Sequence, residues 1–166
     1  MILNYFLPIN LLIINRFKVF FLKIGKKIED FKVGMQAEYS HTFTKEETEI
    51  MADLIGDHNP FHYEGEFIKK TRFKRPIVHG LLIGAMISHF GGDLFPGPGS
   101  LAETIEFKFL KPVYFGDTIR AVATITKVDR KANRLSFSMS GFNEKNEKVV
   151  EAKATCIPYQ IEVDDF

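Results

Sequence analysis

The 166-residue chain has no tryptophan, a single cysteine and no excess of either charge. With 22 Lys and Arg against 21 Asp and Glu, the balance gives no electrostatic case for nucleic acid, whose binding calls for a basic stripe or patch. The lone Cys156 excludes an internal disulfide and fits a reducing, cytoplasmic setting. Its place in an apolar, strand-like run makes it a buried structural thiol rather than a nucleophile. No Gly-x-Ser-x-Gly elbow is present, and Gly97-Pro98-Gly99 lacks the strand-to-helix setting of a phosphate loop. Scattered histidines without a Cys-x2-Cys pair do not read as a zinc site, so no metal is expected.

What is abundant is phenylalanine, seventeen residues of it, in a chain long enough for one domain with a real core. Residues 1–24 are very apolar and carry no acid. Their positive charges, Arg16, Lys18 and Lys23, come during or after the apolar stretch, unlike a secretory signal. The uncharged run to Asn15 is too short to span a bilayer. The segment reads as an extension outside the domain, with contact to a membrane surface a lesser alternative. The expected organisation is an extension at 1–24, a domain over 25–160 and a short acidic tail at 161–166.

Ala37 to Phe43 alternates and reads as a first strand. Thr44-Lys45-Glu46-Glu47 forms a capping box, predicting a helix with Ile50, Met51, Leu54 and Ile55 on one face and its end near Gly56. From Ile77 to Phe90 the chain is apolar nearly all round, which predicts a helix opened by Pro76 and buried on every side. Segments 101–110, 118–129, 133–144 and 147–158 read as strands joined by short turns, hence an antiparallel sheet. The expected fold class is α+β, with a curved antiparallel sheet around one long buried helix.

Chemistry concentrates in two places. Asp57-His58-Asn59-Pro60-Phe61-His62 sets a carboxylate and an imidazole across a proline that interrupts any continuous helix. Arg75-Pro76-Ile77-Val78-His79-Gly80 then opens the apolar helix, whose first turn presents free N–H donors. Asp57 and His62 form a candidate acid–base pair, and the Gly80 N–H is a candidate donor to a substrate carbonyl. His58 is expected to point away, and His79 to make a structural hydrogen bond at the helix start. Leu81, Leu82, Ala85 and Met86 are expected to line the pocket. A basic run, Lys69, Lys70, Arg72, Lys74 and Arg75, precedes the helix and reads equally as a solvated surface or a phosphate contact.

These two segments, with Phe107-Lys108-Phe109-Leu110-Lys111-Pro112-Val113 and Gly116-Asp117, resemble the MaoC-like dehydratases, most of all the small (R)-specific enoyl-CoA hydratases. The resemblance runs from about Lys26 to Pro158. It implies a hot-dog fold, homodimers joined sheet edge to sheet edge, and reversible syn addition of water to a trans-2-enoyl thioester. By position, Asp57 and His62 match the catalytic pair. Gly80 matches the donor to the thioester oxygen, Ser88 a supporting helix serine and Asn59 a residue shaping the loop. No redox cofactor or metal is implied, and acyl-CoA or an acyl-carrier-protein thioester is the substrate carrier. The alternatives are a 3-hydroxyacyl-carrier-protein dehydratase and a non-catalytic acyl-thioester-binding protein on the same fold.

Overall fold

Where the chain alternates apolar and polar residues it builds strands, and the computed structural model describes residues 21–164 of it. In chain order these are β1 (Phe21–Gly25), β2 (Gln36–Thr42), α1 (Lys45–Ile55) and α2 (Glu66–Lys70). A central helix follows as α3 (Gly80–Gly84) and α4 (Met86–His89), continued by a π turn (Phe90–Leu94). Then come β3 (Ser100–Phe109), β4 (Thr118–Asp129), β5 (Arg134–Phe142), β6 (Lys148–Pro158) and β7 (Gln160–Asp164).

Five strands form one antiparallel sheet in the order β2-β4-β5-β6-β3. Its inner face carries rows of buried residues in register, such as Ala123, Met139 and Ala152. Alanine at 121, 123, 152 and 154 keeps that face shallow, so the helix can lie close against it. Gly141 serves the same end, because a Cβ there would stand 2.6 Å from the Val150 side chain. Above this face Ile83, Met86, Ile87 and Phe90 complete a core with Phe31, Phe43 and Phe137. Cys156 is part of it, and burial pushes its thiol up to about 11, which suits a packing residue. The expected hot-dog arrangement is present.

Two expectations about the helix are corrected. It starts at Gly80 rather than Pro76, because the intervening backbone is claimed by strand-like partners. The Val78 N–H donates to Val113 O at 2.8 Å and the Ile77 N–H to Phe61 O at 3.1 Å. Nor is it buried on every side: Leu81, Ala85 and Ser88, spaced to share one stripe, are exposed. A single five-stranded sheet covers only the opposite side. In α1 the capping box forms as expected, Glu47 N–H donating to Thr44 Oγ1 at 3.1 Å and Thr44 N–H to Glu47 Oε2 at 2.8 Å. Its inward face, however, is the small pair Thr48 and Ala52, whereas Ile50, Leu54 and Ile55 are exposed.

Among the described residues β3 is the edge strand of the sheet at the end opposite β2. Leu101, Ile105 and Phe109 on it are all exposed, and Phe107 is half-buried. β1 and β7 pair antiparallel, Phe21 opposite Asp164 and Gly25 opposite Gln160, so strand structure crosses both expected domain boundaries. Residues 1–20 of the expected extension, and 165–166, lie outside the described residues. Among the described residues no helix is long and apolar enough to cross a membrane.

Candidate active site

α1 ends at Gly56, whose left-handed backbone (φ 73°, ψ 23°) turns the chain out of the helix at little steric cost. Asp57 is therefore the first residue of a loop whose shape Asn59 dictates. The Asn59 N–H donates to Asp57 Oδ1 at 3.2 Å, and its Oδ1 accepts the Phe61 N–H at 3.3 Å. Asn59 is extended, as the residue before a proline must be, and Pro60–His62 closes a 3-10 turn. That turn buries His62 to 9% exposure while Asp57 stays partly open. His58 and His62 stand at His-x3-His spacing, yet the break at Pro60 sends the His58 ring to Tyr63 and Asp53 instead.

The partners of the two buried imidazoles fix their tautomers. His62 Nδ1 lies 2.9 Å from Ile77 O. A carbonyl only accepts, so Nδ1 carries the proton and Nε2 keeps a lone pair. His79 has the opposite arrangement. It caps the central helix, its Nδ1 accepting the Leu81 N–H at 3.2 Å, so its proton sits on Nε2. From there it donates to Asp57 Oδ2 at 2.9 Å. The His62 and His79 rings lie 4.8 Å apart between centroids.

One side-chain nitrogen or oxygen from each of Asp57, His62 and His79 lies within 4.8 Å of the others. Such a trio can hold a metal ion in principle, but these tautomers leave one imidazole lone pair, on His62. Ligation through His79 Nε2 would break its bond to Asp57 and move its proton to Nδ1, against the Leu81 N–H, so the set favours a water molecule between acceptors over a cation. A water with hydrogen bonds of about 2.8 Å on each side spans such a gap. The Asp57 carboxyl is held below the usual carboxylate range, first by the His79 hydrogen bond, against partial desolvation and with help from the Asn59 N–H. It is ionised at neutral pH.

Beside this cluster a cavity of about 260 Å³ opens, lined by His62 and Gly80 with Phe73, Ile83, Phe109 and Val113. Asp57 is outside its lining. The Gly80 N–H opens the helix and takes no hydrogen-bond partner among the described residues. A Cβ at Gly80 would meet the Phe109 ring at 3.3 Å, and one at Gly84 would meet the Phe107 ring at 3.0 Å. The two stacked rings therefore rest on the two glycines one helical turn apart.

Of the residues singled out in the sequence, the structure brings together Asp57, His62 and Gly80. Asn59 shapes their loop. Leu81 and Ser88 lie on the exposed helix stripe and do not line the cavity. Leu82, Ala85 and Met86 do not line it either: Ala85 shares that stripe, Leu82 is half-buried against the core and Met86 lies within it, while Ile83 reaches the cavity. Of the basic run only Arg72 reaches the cavity, joined there by Lys111. His79 is the residue that sequence reasoning misses: a structural hydrogen bond at the helix start is expected of it, the bond to Asp57 is not. Its signal was a histidine directly before the helix-opening glycine, with a second ring nitrogen left to satisfy.

The sequence model of the family described as "MaoC like domain" matches residues 29–146. An "(R)-specific enoyl-CoA hydratase" from Rhodospirillum rubrum is 32% identical over 127 residues, 76% of this chain and 88% of that protein. A "3-hydroxyacyl-[acyl-carrier-protein] dehydratase, mitochondrial" from Arabidopsis thaliana is 30% identical over 129 residues, 76% of each. Among solved structures, an (R)-hydratase from A. caviae involved in PHA biosynthesis superposes with a TM-score of 0.74 at 29% identity, covering 78% of this chain and 98% of that one.

Proposed function

The chain belongs to the MaoC-like domain family, and on that premise we propose that it is an (R)-specific enoyl-CoA hydratase, a hydro-lyase adding water reversibly to a trans-2-enoyl thioester. The observation that carries this reading is the meeting of three groups. An ionised Asp57 has a carboxylate oxygen within 4.8 Å of a ring nitrogen of His62, a gap one water spans, and His62 lines a cavity together with Gly80, whose N–H takes no partner among the described residues.

In the proposed reaction a water donates one hydrogen to the Asp57 carboxylate and the other to His62 Nε2. Its oxygen forms a bond to Cβ of the enoyl group as His62 Nε2 takes the proton. The Cα–Cβ π electrons move toward the thioester, giving an enolate whose oxygen accepts the Gly80 N–H. The His62 imidazolium, with Nδ1–H already donating to Ile77 O and the Asp57 anion beside it, then gives its proton to Cα. Hydroxyl and hydrogen thus arrive from one side, which makes the addition syn. The balance is one water consumed and one 3-hydroxyacyl thioester formed, and the chemistry calls on neither a metal nor a redox group.

The exposed edge of β3 fits edge-to-edge pairing of two copies, and we read the enzyme as a homodimer built there. The single cysteine, buried and structural, fits a cytoplasmic protein. The dehydratase-type relative supports a second reading, the same reaction run in reverse on a carrier-protein thioester. Hydration of crotonyl-CoA, followed as loss of enoyl-thioester absorbance with chiral analysis of the product, tests the assignment. Wild type should turn over to the (R)-alcohol, and Asp57→Asn should lose at least about a hundredfold. An Asp57→Asn enzyme with near-full activity, or an (S)-product, would overturn it.

A further inference from the structure

We propose that His79 is a positioning residue of this reaction, a single imidazole that holds the Asp57 carboxylate and the first turn of the Gly80 helix in one fixed geometry. The inference rests on the hydratase reading and extends it to a residue that touches no reacting atom.

A helix cap alone would not need a histidine. Ser, Asn or Asp at this position would accept the Leu81 N–H as well, without burying a second polar nitrogen. Yet His79 is only 4% exposed, and both its nitrogens are used, one on each side of the site. Nδ1 takes the Leu81 N–H, one residue beyond the Gly80 donor. Nε2–H holds Asp57 Oδ2, while the Asn59 N–H holds Oδ1. Each carboxylate oxygen keeps a further lone pair, and the plane of the group is set from both ends. The titratable groups facing Asp57 are His79 and His62, and both favour its anion.

The same ring also admits one protonation state. A proton on Nδ1 would oppose it to the Leu81 N–H, two donors face to face, and an unprotonated Nε2 would oppose its lone pair to the carboxylate. His79 is accordingly neutral with its proton on Nε2. It aims the carboxylate that orients the water, and it anchors the turn that presents the enolate donor, so the acid–base arm and the oxyanion arm keep a constant separation. Displacements of about 1 Å in such arrangements cost on the order of a hundredfold in rate.

Two measurements test this. The first is His79→Asn, because asparagine caps the helix but does not reach Asp57. With crotonyl-CoA, kcat should fall about 10- to 100-fold while KM stays within about threefold, on the scale expected of misalignment. The acidic limb of kcat/KM should also move to higher pH, since Asp57 loses the partner that most favours its anion. A purely structural cap would leave that limb in place. The second needs no variant: the 15N spectrum of histidine-labelled wild-type protein should show His79 protonated on Nε2 and unprotonated on Nδ1 at pH 7. Wild-type kcat and an unmoved limb in a folded His79→Asn would overturn the proposal. So would an Nδ1–H or imidazolium His79 in active wild type, even if the variant fails to fold. A wild type inert toward every enoyl thioester would instead bring down the hydratase reading, and this one with it.

Discussion

Gly80→Ala separates stability from catalysis more sharply than any change to the ionisable groups, because the structure puts opposite signs on two small folding terms. A methyl at Gly80 would sit 3.3 and 3.4 Å from carbons of the Phe109 ring, so that ring must give by a few tenths of an ångström. Phe109 is half exposed and lies on the sheet edge, where it has room to yield. Against this, alanine is better than glycine inside a helix by roughly 0.5–1 kcal/mol. The net change in folding free energy is therefore within about 1 kcal/mol, a shift in Tm of no more than about 4 °C for a chain of this size. The effect on the site is larger. Methyl and displaced ring both crowd the cavity lined by His62 and Gly80, where the proposed reaction brings the thioester oxygen to the Gly80 N–H. Losing one such donor costs about 3 kcal/mol, or about a hundredfold in kcat. Thermal melting beside crotonyl-CoA hydration gives both numbers from one preparation. A Gly80→Ala protein that melts like wild type and also turns over like wild type would refute the use of this N–H.

Three further outcomes follow from the fold. Gly141→Ala should destabilise by about 1–3 kcal/mol in urea unfolding, since its methyl would stand 2.6 Å from Val150 and 3.1 Å from Ile119 in a closed core. Thr44→Ala removes half of a complete capping box and should cost about 1 kcal/mol without changing kcat. Glu103 is held below its ordinary value of 4.5 mainly by the hydrogen bond from Arg134. That contribution is present above the unfolded value and lost as pH falls through the lower folded value, so the Tm gap between wild type and Glu103→Gln should close as the pH is lowered beyond the ordinary value of 4.5.

Strand and turn chemistry made most of the sheet legible in the sequence, and β4 occupies the expected residues 118–129. Local signals sufficed there because each strand alternates and each turn is short. The helix was harder, since Pro76 is a good opening residue by its own geometry. What postpones the helix to Gly80 is the pairing of Ile77 and Val78 with Phe61 and Val113, contacts that no local pattern announces. Ile83 rather than Leu82 or Met86 lines the cavity, Met86 being packed into the core instead. Asp57, His62 and Gly80 could be picked out because each motif is contiguous. The bond from His79 to Asp57 joins residues far apart in sequence, and only the fold brings them to 2.9 Å.

Phe109 gives β3 a second consequence. The ring that rests on Gly80 and walls the cavity belongs to the strand whose outer hydrogen-bonding edge has no strand paired to it among the described residues. Whatever pairs with that edge also restrains the wall, and whatever fills the cavity stiffens the edge in return. By reciprocity the two occupancies share one linkage free energy. For the homodimer proposed above, substrate would tighten assembly by the same factor that assembly tightens substrate, and specific activity would become a function of how concentrated the protein is.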